Sequence, residues 1–203
     1  ASFINLNGRS LMKKYEGDIA GSPFKNENWE KAILTLYKGK KTSQVLIKMN
    51  IENNELNYKD SSGKEFIADP RQVKRIDYIS FYTKDSLRYT FKNGYPAISK
   101  QDTSFYYQVY IEGKIELLGK KTKYIRTYKN DVTGETTKEF LDAAIVFYVY
   151  TRRSMEEFHP YKSSILTVMR DKEQAVATYM SDNKINLKKT SHLIKLFNYY
   201  NSL

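Results

Sequence analysis

The 203-residue chain contains no cysteine, only four prolines, one tryptophan and two histidines. Without cysteine there is no disulfide, no zinc–thiolate or iron–sulfur centre and no thiol nucleophile. A chain of this length can bury a core without disulfides, so the absence leaves the cellular compartment open. His159 and His192 lack the close spacing of a metal-binding pair, so we predict no metal and no other cofactor.

Long apolar runs and nucleotide-binding loops are also absent. The longest apolar run, residues 143–150, is far shorter than the ~18 residues of a membrane span, so no transmembrane segment is predicted. No G-x-x-x-x-G-K-[ST], G-x-G-x-x-G or G-x-S-x-G pattern occurs.

Several predicted strands carry carboxylates. Hydrolysis of a glycosidic bond requires two carboxylates that face each other across a cleft. A hydrolase whose site assembles only in the fold is therefore the third hypothesis.

Arginine is scarce although the chain is basic. The net charge is +11, but only eight of the 34 basic residues are arginine and 26 are lysine. Arginine is the side chain that binds phosphates and base edges in a planar fork. Lysines flanked by tyrosines also occur in single-strand binders, whereas lysines at turns and strand edges prevent edge-to-edge pairing. Binding of nucleic acid or another polyanion is the second hypothesis, with the candidate residues Lys120, Lys121, Lys123, Arg126, Arg152 and Arg153.

Tyrosine is abundant, with 18 residues beside ten phenylalanines, and aromatic side chains favour strands. Apolar and polar residues alternate along much of the first 155 residues, most clearly over residues 45–51 and 105–111. We expect an irregular N-terminal arm over residues 1–28, followed by eight to ten strands joined mostly by hairpins. This pattern predicts an antiparallel β-barrel or a strongly curved sheet as the body of the protein, over residues 1–155.

The apolar period changes near Ser154 from two residues to three and four, which predicts helices over residues 156–203. About three helices are expected. In the last of them, four apolar residues recur at helical spacing and predict a stripe that packs on the β body or on a partner. Residues 144–150 are predicted to form a strand that is apolar on both faces. We therefore expect the helices to cover one face of this strand. The fold class is therefore α+β, with both parts in one folding unit. The predicted N-caps are Ser163 or Ser164, Asp171, and Thr190 or Ser191, and the predicted stripe is Leu193, Leu196, Phe197 and Tyr200.

Four tyrosines are candidates for binding a small apolar ligand. If the sheet closes, one of its faces lines an interior that a ligand can occupy. The candidates are Tyr106, Tyr107, Tyr110 and Tyr148, and a filled core would use the same side chains. The leading hypothesis is a non-enzymatic module that binds a ligand or a protein partner through the β body or the helices.

Several short segments together resemble a family of exported bacterial proteins of unknown function. They are Tyr15-Glu16-Gly17 to Gly21-Ser22-Pro23, Lys48-Met49-Asn50-Ile51, Phe105-Tyr106 through Gly113 to Leu117-Leu118, and Leu196-Phe197-Asn198-Tyr199-Tyr200-Asn201. The resemblance extends along the whole chain. It implies a β-rich body and a periplasmic or secreted location, and it implies no chemistry.

Overall fold

The computed structural model describes residue 6 and residues 8–10, 18–81, 87–152 and 154–203. Within these ranges the chain forms 14 strands followed by three α-helices. The strands are β1 (Arg9–Ser10), β2 (Ile19–Ala20), β3 (Glu30–Leu36), β4 (Val45–Asn50), β5 (Glu55–Lys59), β6 (Glu65–Ile67), β7 (Val73–Ser80), β8 (Leu87–Lys92), β9 (Tyr107–Ile111), β10 (Glu116–Lys120), β11 (Lys123–Lys129), β12 (Thr136–Asp142), β13 (Val146–Tyr150) and β14 (Met155–Phe158). The helices are α1 (Lys162–Val168), α2 (Glu173–Asp182) and α3 (Thr190–Ser202).

Eleven strands form one antiparallel sheet in the order β1-β6-β5-β4-β3-β7-β8-β9-β10-β13-β14. The chain runs outward from β3 to β6, returns to the centre as β7 beside β3, and runs outward again to β10. The large antiparallel sheet confirms the predicted β body. In the described ranges its edge strands β1 and β14 do not pair with each other, so the sheet is open and the barrel is not confirmed.

The sheet coils back over its own face. Asn54, in the turn between β4 and β5, donates from its side-chain amide to the carbonyl of Tyr106 over 2.9 Å and accepts from the Tyr106 N–H over 2.7 Å. In a flat sheet, β4 and β9 would lie about 19 Å apart, since four strand spacings separate them. These two hydrogen bonds therefore require strong curvature.

The coiled sheet encloses a packed interior that we call the sheet core. Its side chains come from β3, β4, β5, β7 and β8, and alternate residues are buried along most of β3, β4 and β7. Leu6 covers this interior and is fully buried. Members of the sheet core include Leu34, Ile47, Leu56, Val73, Ile76 and Phe91.

The second half of the sheet is covered on both faces. On one face, α1, α2 and α3 pack on β9, β10, β13 and β14, forming a helix core that includes Ile111, Leu117, Val149, Phe158, Ile165 and Phe197. On the other face, the segment between β8 and β9 supplies Tyr95 to a loop core that includes Tyr107, Leu118, Tyr148 and Met155. The prediction that the helices cover one face of the doubly apolar strand is therefore confirmed, and the predicted stripe of α3 is its buried face.

The change from sheet to helix lies later than the sequence predicts. Residues 155–158 form β14, and the first helix begins at Lys162. In β14 the buried Met155 and Phe158 are three residues apart, with Glu156 and Glu157 exposed between them, so the strand has the spacing of a helix. The predicted caps are also wrong, because none of the three α-helices has a side-chain hydrogen bond at its N-cap.

Replacing Phe197 with alanine tests the docking of α3. The Phe197 ring is fully buried and meets the Phe158 ring edge-on, with centroids 5.8 Å apart. Losing a buried aromatic ring and leaving a cavity should lower the free energy of unfolding by about 3–5 kcal/mol in urea titrations. The exposed control Lys195→Ala should change it by less than about 0.5 kcal/mol. A loss below about 1 kcal/mol for Phe197→Ala would contradict the docking.

Candidate functional site

The structure divides the four candidate tyrosines among three cores. Tyr106 belongs to the sheet core, where its hydroxyl donates to the carbonyl of Val73 over 2.7 Å. Tyr107 and Tyr148 meet edge-on in the loop core with ring centroids 5.2 Å apart, and Tyr110 packs beside the helix core. A ligand site formed jointly by these side chains stays a prediction, and their separation gives it no support.

Burial keeps these tyrosines uncharged. It raises the pKa of Tyr110 to about 12 and raises the pKa of Tyr106, Tyr107 and Tyr148 above the usual value. The Tyr107 hydroxyl is buried and has no hydrogen-bond partner among the described residues. At neutral pH all four side chains therefore act as neutral aromatic groups.

The four strand carboxylates that are candidates for glycoside chemistry, Glu55, Asp77, Glu112 and Glu116, are held in ion pairs. Arg75 contacts Asp77 over 2.7 Å and Glu112 over 2.6 Å. Glu116 accepts from the Tyr95 hydroxyl over 2.5 Å and lies 3.3 Å from the ammonium of Lys92. Glu55 pairs with Arg9. Arg75 and Asp77 both lie on β7, whereas the contacts of Glu112, Glu116 and Glu55 each reach across one intervening strand of the sheet. These carboxylates are therefore held by cationic side chains on the surface of the sheet.

The histidines and acidic residues form no metal site in the described ranges. There, no group of three or more His, Asp or Glu side chains is placed to hold a metal ion. His192 accepts through Nδ1 from the N–H of Asn186 over 2.9 Å, and His159 lies 3.6 Å from Glu157. No helix in the described part of the chain is long and apolar enough to cross a membrane.

The predicted polyanion residues are not brought together into one patch. Lys120, Lys121 and Lys123 lie where β10 passes into β11, with Arg126 further along β11. Arg152 lies beyond the opposite end of the β10–β13 ladder, where it lines an open depression of about 450 Å³. Arg153 lies outside the described residues.

The β11–β12 hairpin is the most exposed part of the sheet structure. It forms a separate three-stranded sheet in the order β11-β12-β2, in which β2 pairs in parallel with β12 through Ile19 and Ala20. Near its base Phe140 is buried against Gly21. From Arg126 to Lys138 nearly every residue is exposed on both faces, so the distal half projects from the body. We call residues 123–142 the projecting hairpin.

The hydrogen-bond register shows which peptide groups of β11 are unpaired. Ala143 donates to Thr122 over 2.9 Å, and Asn130 donates to Glu135 over 2.8 Å. Since bonded and non-bonded pairs alternate in an antiparallel ladder, residues 124, 126 and 128 bond to β12. The N–H and C=O groups of Lys123, Ile125, Thr127 and Lys129 therefore point away from β12, towards an edge that no other described strand pairs with. We call this edge the open edge of β11.

The outward face of β11 alternates aromatic and cationic side chains. Tyr124 and Tyr128 are 47% and 38% exposed, and the guanidinium carbon of Arg126 lies 4.8 Å from the centroid of the Tyr128 ring. Glu139 is directly opposite Arg126 on β12. Tyrosine and arginine are the residues most enriched at the energetic centres of protein interfaces.

A cluster of three lysines lies at the base of the projecting hairpin. The Lys123 ammonium donates to the carbonyl of Ser22 over 2.8 Å, and the Lys121 ammonium lies 3.9 Å from the Asp142 carboxylate. Lys25, three residues after Ser22, places its ammonium 4.1 Å from the centroid of the Tyr89 ring. We call Lys25, Lys121 and Lys123 the lysine cluster.

Lys25 is the member of the lysine cluster that sequence reasoning missed. It lies in a polar N-terminal segment that gives no strand signal, and its backbone N–H donates to Met49 at the end of β4. Only the coiling of the sheet brings this segment to the β10–β11 connection. Burial, with the charges of Lys121 and Lys123, lowers the pKa of Lys25 to about 8, although Asp142 opposes the shift.

Comparisons with protein-family models, curated proteins and solved structures found no match to this chain. Among the segments that resemble exported bacterial proteins, Tyr15-Glu16-Gly17 lies outside the described residues. Gly21-Ser22-Pro23 leads into the lysine cluster. Membership of that family stays a prediction.

The lowered pKa of Lys25 predicts a pH-dependent effect on stability. Below about pH 8 the Lys25 side chain is protonated in both the folded and the unfolded chain. The folded state therefore carries the full free-energy cost of burying its positive charge. Between about pH 8 and 10.5 the folded state releases the proton first, so the cost disappears as pH rises. Lys25→Met should therefore be more stable than the wild type in urea titrations at pH 7, with a difference that shrinks towards pH 10.5. A difference in the free energy of unfolding that stays constant between pH 7 and pH 10.5 would contradict this prediction.

Proposed function

We propose that this protein is a binding module that pairs the open edge of β11 with an extended acidic segment of a partner protein. The observation that carries the proposal is the row of outward peptide groups on β11, at Lys123, Ile125, Thr127 and Lys129. An exposed strand edge of this kind accepts a further strand through main-chain hydrogen bonds, while side chains on alternate positions supply specificity.

The charge of β11 supports an acidic occupant. Its seven residues include Lys123, Arg126 and Lys129 and no acidic residue. A strand that pairs with β11 would place its side chains about 5 Å from these cations, where opposite charges are favourable and like charges are unfavourable. The exposed rings of Tyr124 and Tyr128 add apolar area on the same face as Arg126.

The anchoring of the projecting hairpin also supports this role. An isolated two-stranded hairpin is only marginally stable in water. Here β2 and Phe140 hold the base in place, so the distal part of β11 is presented in a defined register. A preorganised edge loses less conformational entropy when a partner strand binds.

The other predicted functions have less support. A long polyanion would need one continuous track, and Arg152 lies apart from the lysines near β11. A small-ligand site at the four tyrosines would need a shared pocket, and these side chains are divided among three cores, with only Tyr107 and Tyr148 in contact. A hydrolase would need converging free carboxylates, and Asp77, Glu112 and Glu116 are ion-paired.

We also propose, from the resemblance to exported bacterial proteins, that the protein acts in the periplasm or is secreted. Its partner would then lie in the same space. Fractionation of cells that carry the complete gene tests this part separately, since recovery of the protein with cytoplasmic markers would contradict it.

Proline at position 127 tests the strand pairing. Thr127→Pro removes one outward N–H from the β11 edge and leaves the bonds to β12 in place, because that N–H does not point to β12. The probe is a synthetic peptide in which glutamate alternates with valine and threonine, titrated while the amide resonances of β11 are followed by NMR. Thr127→Pro should weaken its binding at least about tenfold, as expected for a lost hydrogen bond together with hindered approach.

Two controls make the outcome decisive. Thr127→Ala keeps the N–H and should bind the peptide within about twofold of the wild type, which separates the backbone effect from the loss of the side chain. A peptide with lysine in place of glutamate should bind much more weakly. Equal binding by Thr127→Pro, or equal binding of the lysine peptide, would overturn the proposal.

A further inference from the structure

Among the residues that the structure describes, the lysine cluster holds more positive charge than its acidic neighbour neutralises. Its members come from the segment before β3, the β10–β11 connection and the first residue of β11. Asp142 is the acidic group facing them, and its carboxylate is 3.9 Å from the Lys121 ammonium. Counted over the described part of the chain, three ammonium groups and one carboxylate leave a net charge of +2.

This arrangement is held in place by the fold. Lys123 is directly opposite Asp142 in the β11–β12 ladder, and its ammonium is fixed by the carbonyl of Ser22 over 2.8 Å. Lys25 is half-buried, with its ammonium against the Tyr89 ring at 4.1 Å. Its side chain therefore cannot extend freely into solvent, as the side chain of an ordinary surface lysine does.

We propose that the lysine cluster is a binding site for one dianionic phosphoryl group. A phosphate or phosphomonoester carries about −1.5 to −2 charges near neutral pH, which matches the excess of +2. Its three or four oxygens accept from several ammonium groups at once, and lysine binds phosphate as a point charge. The site shares Lys123 with the open edge of β11, but it binds through ammonium groups, whereas the edge binds through peptide groups.

The electrostatics of Lys25 fit this assignment. Its pKa is lowered to about 8 by burial first, then by the charges of Lys121 and Lys123. A bound dianion would offset the effects of the Lys121 and Lys123 charges. It would therefore raise the pKa of Lys25 towards its ordinary value, because a nearby opposite charge favours the ammonium form. The groups that face Lys25 are the Tyr89 ring, Lys121, Lys123 and Asp142.

Thermal unfolding with inorganic phosphate tests the site. A ligand that binds only the folded state raises Tm, by about 3–6 °C for a protein of this size at ten times Kd. Sodium phosphate at pH 7.5 should do so relative to sodium chloride and sodium acetate of the same ionic strength. Lys25→Met keeps the length of the side chain and removes its charge, so the phosphate-dependent rise should fall by at least half.

A matched control separates this site from the general positive charge. Lys188→Met removes one positive charge from an exposed position between α2 and α3 and should keep the full rise in Tm. Glycerol 3-phosphate distinguishes the sources of the phosphoryl group. A larger rise than with inorganic phosphate indicates a phosphomonoester of a larger molecule, and an equal rise indicates free phosphate.

Two results would overturn the assignment. One is a phosphate response no larger than that of chloride and acetate in the wild type. The other is an equal loss of response in Lys25→Met and Lys188→Met, which would show that only net charge matters. Lys25→Met removes a positive charge whose burial is unfavourable, so this variant should fold at pH 7. A smaller phosphate-dependent rise in Tm therefore cannot be attributed to misfolding of the variant.

Discussion

The hydrogen-bond pair between Asn54 and Tyr106 is the contact on which the arrangement of the β body depends. Both bonds link a turn at the end of β4 to the residue before β9. Asn54 has a φ of 57°, a left-handed conformation that asparagine adopts more easily than most residues. The contact holds the sheet in its coiled form, which encloses the sheet core and carries the residues near Lys25 towards the β10–β11 connection.

Coiling also determines which surfaces of the sheet are covered. The sheet core fills the inside of the coil, the helices cover one face of β9, β10 and β13, and the segment with Tyr95 covers the other. The projecting hairpin lies outside all three cores, although Phe140 at its base is buried. Its open edge and the lysine cluster at its base are therefore adjacent surfaces that share Lys123. Both are positively charged, but only the edge offers a row of peptide groups.

Local pattern predicted the elements of this fold better than their arrangement. Alternation in β4 and the spacing of Leu193, Leu196, Phe197 and Tyr200 reflect burial of one face, which a sequence records directly. The end of the sheet was misplaced because β14 buries residues three apart, as a helix does. The coiling of the sheet and the lysine cluster depend on contacts between residues distant in the chain, such as Asn54 with Tyr106 and Lys123 with Ser22, and no local pattern reveals these.

The central claim is that β11 presents an open edge in a fixed register. Amide hydrogen exchange followed by NMR on the free protein tests it most directly. The amides of Arg126 and Tyr128 bond to β12, so they should exchange at least about tenfold more slowly than those of Ile125 and Thr127, which point outward. Protection of Ile125 and Thr127 equal to that of Arg126 and Tyr128 would show that the edge is covered, and would contradict the account.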